Sequence, residues 1–295
     1  MAQAPEEVAV LYRKFATQEE HDAQYNLTAM LPEAAARYEA FCWRESEGVR
    51  ASLDHRLDVP FGPTLAEHAD VYPAGENAPV LVYVHGGFWC LRTSKEFGFV
   101  ARGPVSRGVA TVATNYDLCP RVTIDEIVRQ TRAAVAWTYK NAASFGGDPA
   151  RIHVAGHSAG GHLVAMLLAT DWEGEYGLPG NVIKGATAIS GLYDLAPFPY
   201  TFLQPKLQLA YDQILRNSPI LHIPESAPPL LVAYGDNETD EFKRQSEKYL
   251  DAWKAQGLEG ECLILQGKNH YEVIDGFLEA ESPLCSAILG QIDVQ

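Results

Sequence analysis

The sequence predicts one doubly wound α/β domain across residues 1–295, a mostly parallel sheet with helices on both faces. Three observations predict it. Apolar runs of strand length alternate with helix-length segments from Pro79 onward, a rhythm that pairs strands in parallel and covers both faces of the sheet. A chain of 295 residues, 47% of them hydrophobic, can bury a large core. No internal repeat or low-complexity stretch is present, which disfavours solenoids and propellers.

The elements follow in order. Residues 1–47 read as a helical segment in two pieces, the second opening with Pro32 at its first turn and rich in helix formers. The apolar run 80–84 is a buried strand ending in His85-Gly86-Gly87, and 109–116 is a second strand. Residues 95–107 between them are expected to supply the crossover helix. Residues 124–143 carry helical periodicity through Ile124, Ile127, Val128, Ala134, Val135 and Tyr139, and the turn Gly146-Gly147-Asp148-Pro149 follows. A short strand at 152–156 leads to an apolar helix at 160–170. Further strands are expected at 186–190, 230–234 and 262–265. An amphipathic helix at 241–256 is stopped by Gly257. The interval 192–229 breaks the rhythm with seven prolines and the aromatics Tyr193, Phe198, Tyr200, Phe202 and Tyr211. Long insertions of this kind are often functional, and 192–229, with the helical segment 1–47, is expected to form a small cap or lid.

Charge and cysteine usage narrow the function. With 23 Lys and Arg against 38 Asp and Glu, the net charge is −15, and no basic stripe interrupts it. Such a surface repels phosphate backbones and anionic lipid, so neither nucleic acid nor a membrane surface is an expected partner. No apolar run approaches the roughly 20 residues that cross a bilayer. The N-terminus lacks the basic and apolar regions of a signal peptide. Cys42, Cys90, Cys119, Cys262 and Cys285 are odd in number and widely spaced, which reads as reduced thiols. A cytoplasmic protein is expected, and the sequons at Asn26 and Asn237 then match by chance. A homo-oligomer is compatible with all of this.

The chemistry centres on Gly156-His157-Ser158-Ala159-Gly160, a G-x-S-x-G string between a strand and a helix. A serine at that turn presents its hydroxyl at the sheet's edge, flanking glycines relieve crowding, and the next helix aims its amides at developing negative charge. The alternative is a Gly-rich βα turn in which Ser158 only caps a helix. His85-Gly86-Gly87-Phe88-Trp89 ends an earlier strand. The backbone N–H groups of Gly87 and Phe88, with that of Ala159, are the expected oxyanion donors. His85, within that turn, is expected to organise the loop.

The base should follow the nucleophile in the chain, in the order Ser, acid, His. Of nine histidines, His21, His55 and His68 come too early and His222 lies in the irregular insert. His153, His157 and His162 straddle a strand, a turn and a helix, so no metal site is expected there. His270, just after the last expected strand, is the candidate base. The acid should follow the strand at 230–234, where Asp236, Glu238 and Asp240 all stand. Its task is to accept the imidazole N–H, fix the tautomer and stabilise the imidazolium. Local physics leaves the choice among the three open.

At these residues the sequence resembles the α/β-hydrolase superfamily and, more narrowly, the kynurenine formamidase (arylformamidase) group. His85-Gly-Gly-Phe-Trp89 is similar to that group's H-G-G-x-W signature. Ser190-Gly-Leu-Tyr-Asp194, Glu238-Thr-Asp-Glu-Phe242 with Arg244-Gln-Ser246, and Asn269-His270-Tyr271 also resemble its strings. The similarity runs from Tyr25-Asn26 to the C-terminus. It implies the α/β-hydrolase fold and a cofactor-free serine hydrolase acting on a small aromatic amide, an N-formyl or other acyl-aryl-amide. In such relatives the acid precedes a Glu-Phe stretch by three residues, which carries over to Glu238, a Glu where many members have Asp. Trp89 and Tyr193, with Phe88, could form an aromatic wall for an aryl group. Within the same mechanism a carboxylesterase for short acyl esters is the alternative. A catalytically silent small-molecule receptor is a third reading, disfavoured because Ser158, His270 and a choice of acids are all present.

Overall fold

A computed structural model describes residues 10–293. Among them, eight strands form one sheet: β1 (Arg56–Pro60), β2 (His68–Tyr72), β3 (Ala78–Val84), β4 (Ala110–Thr114), β5 (Gly147–His157), β6 (Ile183–Ile189), β7 (Leu230–Gly235) and β8 (Gly260–Leu265). Their spatial order is β1-β2-β4-β3-β5-β6-β7-β8, antiparallel from β1 through β2 to β4 and parallel thereafter. All six strands expected from apolar runs are present, and the mostly parallel sheet is as expected.

The apolar runs are continuous because both faces of the sheet are covered. Along β3, Val80, Val82 and Val84 face one cluster of buried side chains and Leu81 and Tyr83 face the other. The helices are α1 (Gln18–Tyr25), α2 (Leu27–Met30), α3 (Pro32–Ser52), α4 (Arg102–Ser106), α5 (Ile124–Asn141), α6 (Ala159–Leu168), α7 (Trp172–Tyr176), α8 (Gln204–Leu207), α9 (Tyr211–Arg216), α10 (Asp240–Ala255) and α11 (Pro283–Gln291). α5, α6 and α10 cover the first face, while α3 and α11 cover the second. Every residue of α6 is buried, which is why its sequence is apolar all round rather than striped.

Two expectations are corrected. Residues 95–107 do not form one crossover helix but two 3-10 turns, Ser94–Glu96 and Gly98–Ala101, followed by the five-residue α4. Pro104 lacks an N–H, and glycine is a poor helix former. Gly103 is needed there for close packing: a Cβ would stand 2.8 Å from Cys285 Sγ and from the Phe277 carbonyl. The N-terminal segment forms three helices rather than two, with Asn26 and Leu31 at the breaks. Residues 1–9 of that expected segment lie outside the described residues.

The parallel register aligns the strand ends. Val84 pairs with Gly156, His157 with Ile189, and Gly235 with Leu265. The loops after β3, β5, β6, β7 and β8 therefore leave along one carboxyl edge of the sheet, where ligands bind in open α/β folds.

Candidate active site

The turn after β5 forces Ser158 into φ 58°, ψ −119°, a region that costs a non-glycine residue energy and persists only when surroundings hold it. Here they do. Ser158 N–H donates to the Ile189 carbonyl at 2.8 Å, and its own carbonyl accepts from His162 N–H at 3.1 Å. The flanking glycines have a steric reason: a Cβ on Gly160 would run into the Val84 carbonyl, and one on Gly156 into the Gly160 carbonyl.

Of the three carboxylates, one is paired with His270. The His270 Nδ1 and Glu238 Oε2 atoms lie 2.6 Å apart, a charge-assisted contact between side chains that are both buried. Glu238 Oε1 accepts from Ser190 O–H at 2.5 Å and from Gly235 N–H at 2.8 Å. Asp236 is turned away and accepts from Gly267 N–H at 2.6 Å, while exposed Asp240 begins α10 and faces Lys14. Ser190, at the end of β6 with φ 49°, is a member of the site that its sequence string alone did not reveal. The available signal was its position, since a hydroxyl directly after a parallel strand lies on the same edge as Ser158.

Ser158 and His270 line one cleft of about 70 Å3 together with Gly86, Gly87, Phe88 and His157. No direct hydrogen bond joins Ser158 Oγ to His270 among the described residues; such bonds often tighten only in the substrate complex. The loop after β3 approaches Ser158 closely: a Cβ on Gly86 would stand 3.0 Å from Ser158 Cβ. Gly87, Phe88 and Trp89 all have positive φ (119°, 49° and 57°), so the loop is a tight left-handed turn. No backbone carbonyl accepts from the amides of Gly87, Phe88 or Ala159 among the described residues. Ala159 opens α6, where an orphan amide is inherent. Three N–H groups are thus uncommitted around Ser158.

Trp89 and Tyr193 do not line the cleft, which corrects the aromatic-wall expectation for both. Each is fully buried. The Trp89 indole N–H donates to His162 Nδ1 at 3.1 Å, and His162 Nε2 pairs with the Asn217 carbonyl at 2.7 Å, tying the loop after β3 to α6 and to the 192–229 insert. Tyr193 stacks flat on Tyr249 at 4.2 Å. The aromatic lining comes instead from Phe88, Tyr38, Phe97 and Tyr271. Leu27, Thr28 and Tyr38 bring the N-terminal helices over the cleft, whereas among the described residues none of the insert lines it, and Phe202 of the insert meets Phe88 edge-on.

Burial disfavours the charged form of three histidines around the site. Burial pushes His85 and His162 down to about 4. It pushes His157 well below the ordinary range, with the His270 charge adding to the effect. His85 is sandwiched between Tyr116 at 4.1 Å and Phe97 at 5.6 Å, and its Nδ1 pairs with the Gly86 carbonyl at 2.7 Å, the loop-organising place expected of it. No group of three metal-ligating side chains occurs among the described residues.

A buried parallel sheet with a strained serine turn, and a His–carboxylate pair on its carboxyl edge, define a hydrolase of the α/β-hydrolase class. Comparison with known proteins makes this specific. A family model described as BD-FAE matches residues 70–191. The kynurenine formamidase of Salmo salar is 33% identical over 253 residues, covering 83% of this chain and 84% of that protein. The chain belongs to the kynurenine formamidase family. Esterase LipQ of Mycobacterium tuberculosis is 29% identical over 223 residues, covering 68% of this chain and 53% of that one. A solved structure from Silicibacter sp. tm1040 superposes with a TM-score of 0.79 at 32% identity, covering 91% of this chain and 98% of the other.

Proposed function

We propose that this enzyme hydrolyses small N-formyl aryl amides of the N-formylkynurenine type through an acyl-enzyme on Ser158. The observation that carries the reading is the 2.6 Å Glu238–His270 bond in the cleft that Ser158 also lines. His270 takes the hydroxyl proton as Ser158 Oγ attacks the formyl carbon, and Glu238 stabilises the imidazolium that forms. The amides of Gly87, Phe88 and Ala159 hold the oxyanion. The tetrahedral intermediate collapses by breaking the C–N bond while His270 returns its proton to the departing aryl amine. Water, deprotonated by His270, then attacks the formyl ester, releasing formate and regenerating Ser158.

The small inner cleft suits a formyl group, which is sterically open, and an aryl amine leaves more readily than an alkyl amine because the ring delocalises its lone pair. Turnover should therefore fall steeply along formanilide, acetanilide and butyranilide. A flat series would remove the formamidase and leave a serine hydrolase. The likeness to Esterase LipQ supports a second reading, a carboxylesterase for short acyl esters. Higher kcat/KM on 4-nitrophenyl acetate or butyrate than on N-formylkynurenine would favour it. No helix of the described residues is long and apolar enough to cross a membrane. The free thiols of Cys42, Cys90, Cys119, Cys262 and Cys285 further support a cytoplasmic setting.

A further inference from the structure

The cleft that holds Ser158 is too small for a whole aryl formamide. Its volume of about 70 Å3 is well short of the roughly 300 Å3 at which ligand pockets begin, so most of a substrate must extend past its rim. Tyr38 and Tyr271 stand at that rim with ring centroids 4.9 Å apart, and both also line a second cavity of about 290 Å3. This outer cavity lies between α3 and the 3-10 turn Glu272–Leu278 that follows His270, and its other walls are Ala34, Arg37, Phe41, Glu272 and Asp275.

The outer cavity combines an aromatic wall with charges of both signs. Arg37 enters no ion pair among the described residues. The guanidinium at the inner cleft, Arg92, is by contrast already committed to Glu96 at 2.7 Å and packs over the Tyr38 ring. Asp275 has one cationic neighbour within salt-bridge range among the described residues, Lys268 at 3.8 Å, and it is half-buried. Glu272 is partly engaged, accepting from Asn269 N–H at 3.2 Å. An exposed, unpaired guanidinium and a weakly paired carboxylate lining one cavity match an α-amino acid, whose carboxylate and ammonium carry the opposite charges.

We propose that the outer cavity is the subsite for the amino-acid end of a zwitterionic aryl formamide, with Arg37 taking the carboxylate, Asp275 the ammonium, and the touching Tyr38 and Tyr271 rings forming the wall along which the substrate's ring lies from one cavity to the other. Burial pushes Asp275 up to about 6, so the carboxyl is poorly solvated and gains from a cation placed beside it. The proposal rests on the formamidase reading and adds to it a residue that selects the substrate.

The test compares two substrates that share the reacting centre, N-formylkynurenine and 2-formamidoacetophenone, the same aryl ketone without the amino-acid end. In Arg37→Gln the ratio of kcat/KM for the first over the second should fall about tenfold or more, through KM rather than kcat, as expected when ground-state and transition-state binding are lost equally. Arg37→Lys should recover part of that ratio, and Asp275→Asn should shift it in the same direction as Arg37→Gln. A ratio unaltered in both Arg37→Gln and Asp275→Asn, or a wild type with no preference for N-formylkynurenine, overturns the subsite alone. A wild type that hydrolyses neither compound overturns the formamidase reading as well.

Discussion

At the scale of the residue, Glu238 is the side chain whose chemistry is most tightly fixed. It accepts three hydrogen bonds, from Gly235, Ser190 and His270, and is buried. Glu238→Gln has one oxygen to offer where two are used. Its amide hydrogens must therefore face either the His270 N–H or the Ser190 and Gly235 donors. The expected outcome is a fall in kcat of at least about a hundredfold, because the imidazolium loses its counter-charge and the tautomer is no longer held. Asp236→Asn keeps the oxygen that accepts from Gly267, so its kcat should change little. Steady-state kinetics on both variants check the assignment, and the reverse ranking would move the acid to Asp236. The sequence alone offered three carboxylates in five residues, and only the resemblance separated them. The reason is geometric: a loop four residues long can turn any of the three toward His270, and the hydrogen bonds from Ser190 and the Gly235 backbone select Glu238.

At the scale of the element, two-sided burial made most strands legible, although β8 was read from its apolar run despite being largely exposed and β2 was missed despite being mostly buried. β3, β5, β6 and β7 read directly as apolar runs because each is buried on both faces. β1 went unread: Arg56–Pro60 is a largely exposed edge strand with no apolar pattern. β2, His68–Tyr72, is short and carries Asp70, whose charge is met by Lys95 from a distant segment. The serine turn and the glycine loop were readable because their constraints are local, a strained serine and backbones that approach too closely for a Cβ. The misplaced aromatics failed for the opposite reason. Whether Trp89 faces a substrate or His162 depends on a helix 73 residues later in the chain, which no local pattern reports.

At the scale of the molecule, buried neutral histidines make stability depend on pH. Burial lowers His85, His153 and His162 from 6.5 to about 4 in the folded state. Between these values the unfolded chain binds protons that the folded chain does not, so stability rises with pH through that window and is lost as pH falls from 6.5 toward 4. Asp275, raised to about 6, works in the opposite direction, as one group against these three and His157 and His21, which burial also lowers. Urea midpoints measured at pH 7.5, 6.0 and 5.0 should decline steadily, while a constant midpoint would mean that these imidazoles are not neutral in the fold. His162→Gln should reduce the slope, because it removes one of the lowered groups.

The central claim, that the turn at the centre of the sheet's carboxyl edge supplies the nucleophile, is tested most directly by intact-protein mass spectrometry after treatment with a fluorophosphonate. Wild-type protein should gain a single phosphonyl adduct, mapping to the peptide that carries Ser158, as its hydrolytic activity disappears. Ser158→Ala should gain none and should lose several orders of magnitude in turnover. An adduct on another residue, or a Ser158→Ala protein that still hydrolyses N-formylkynurenine at the wild-type rate, would contradict the account.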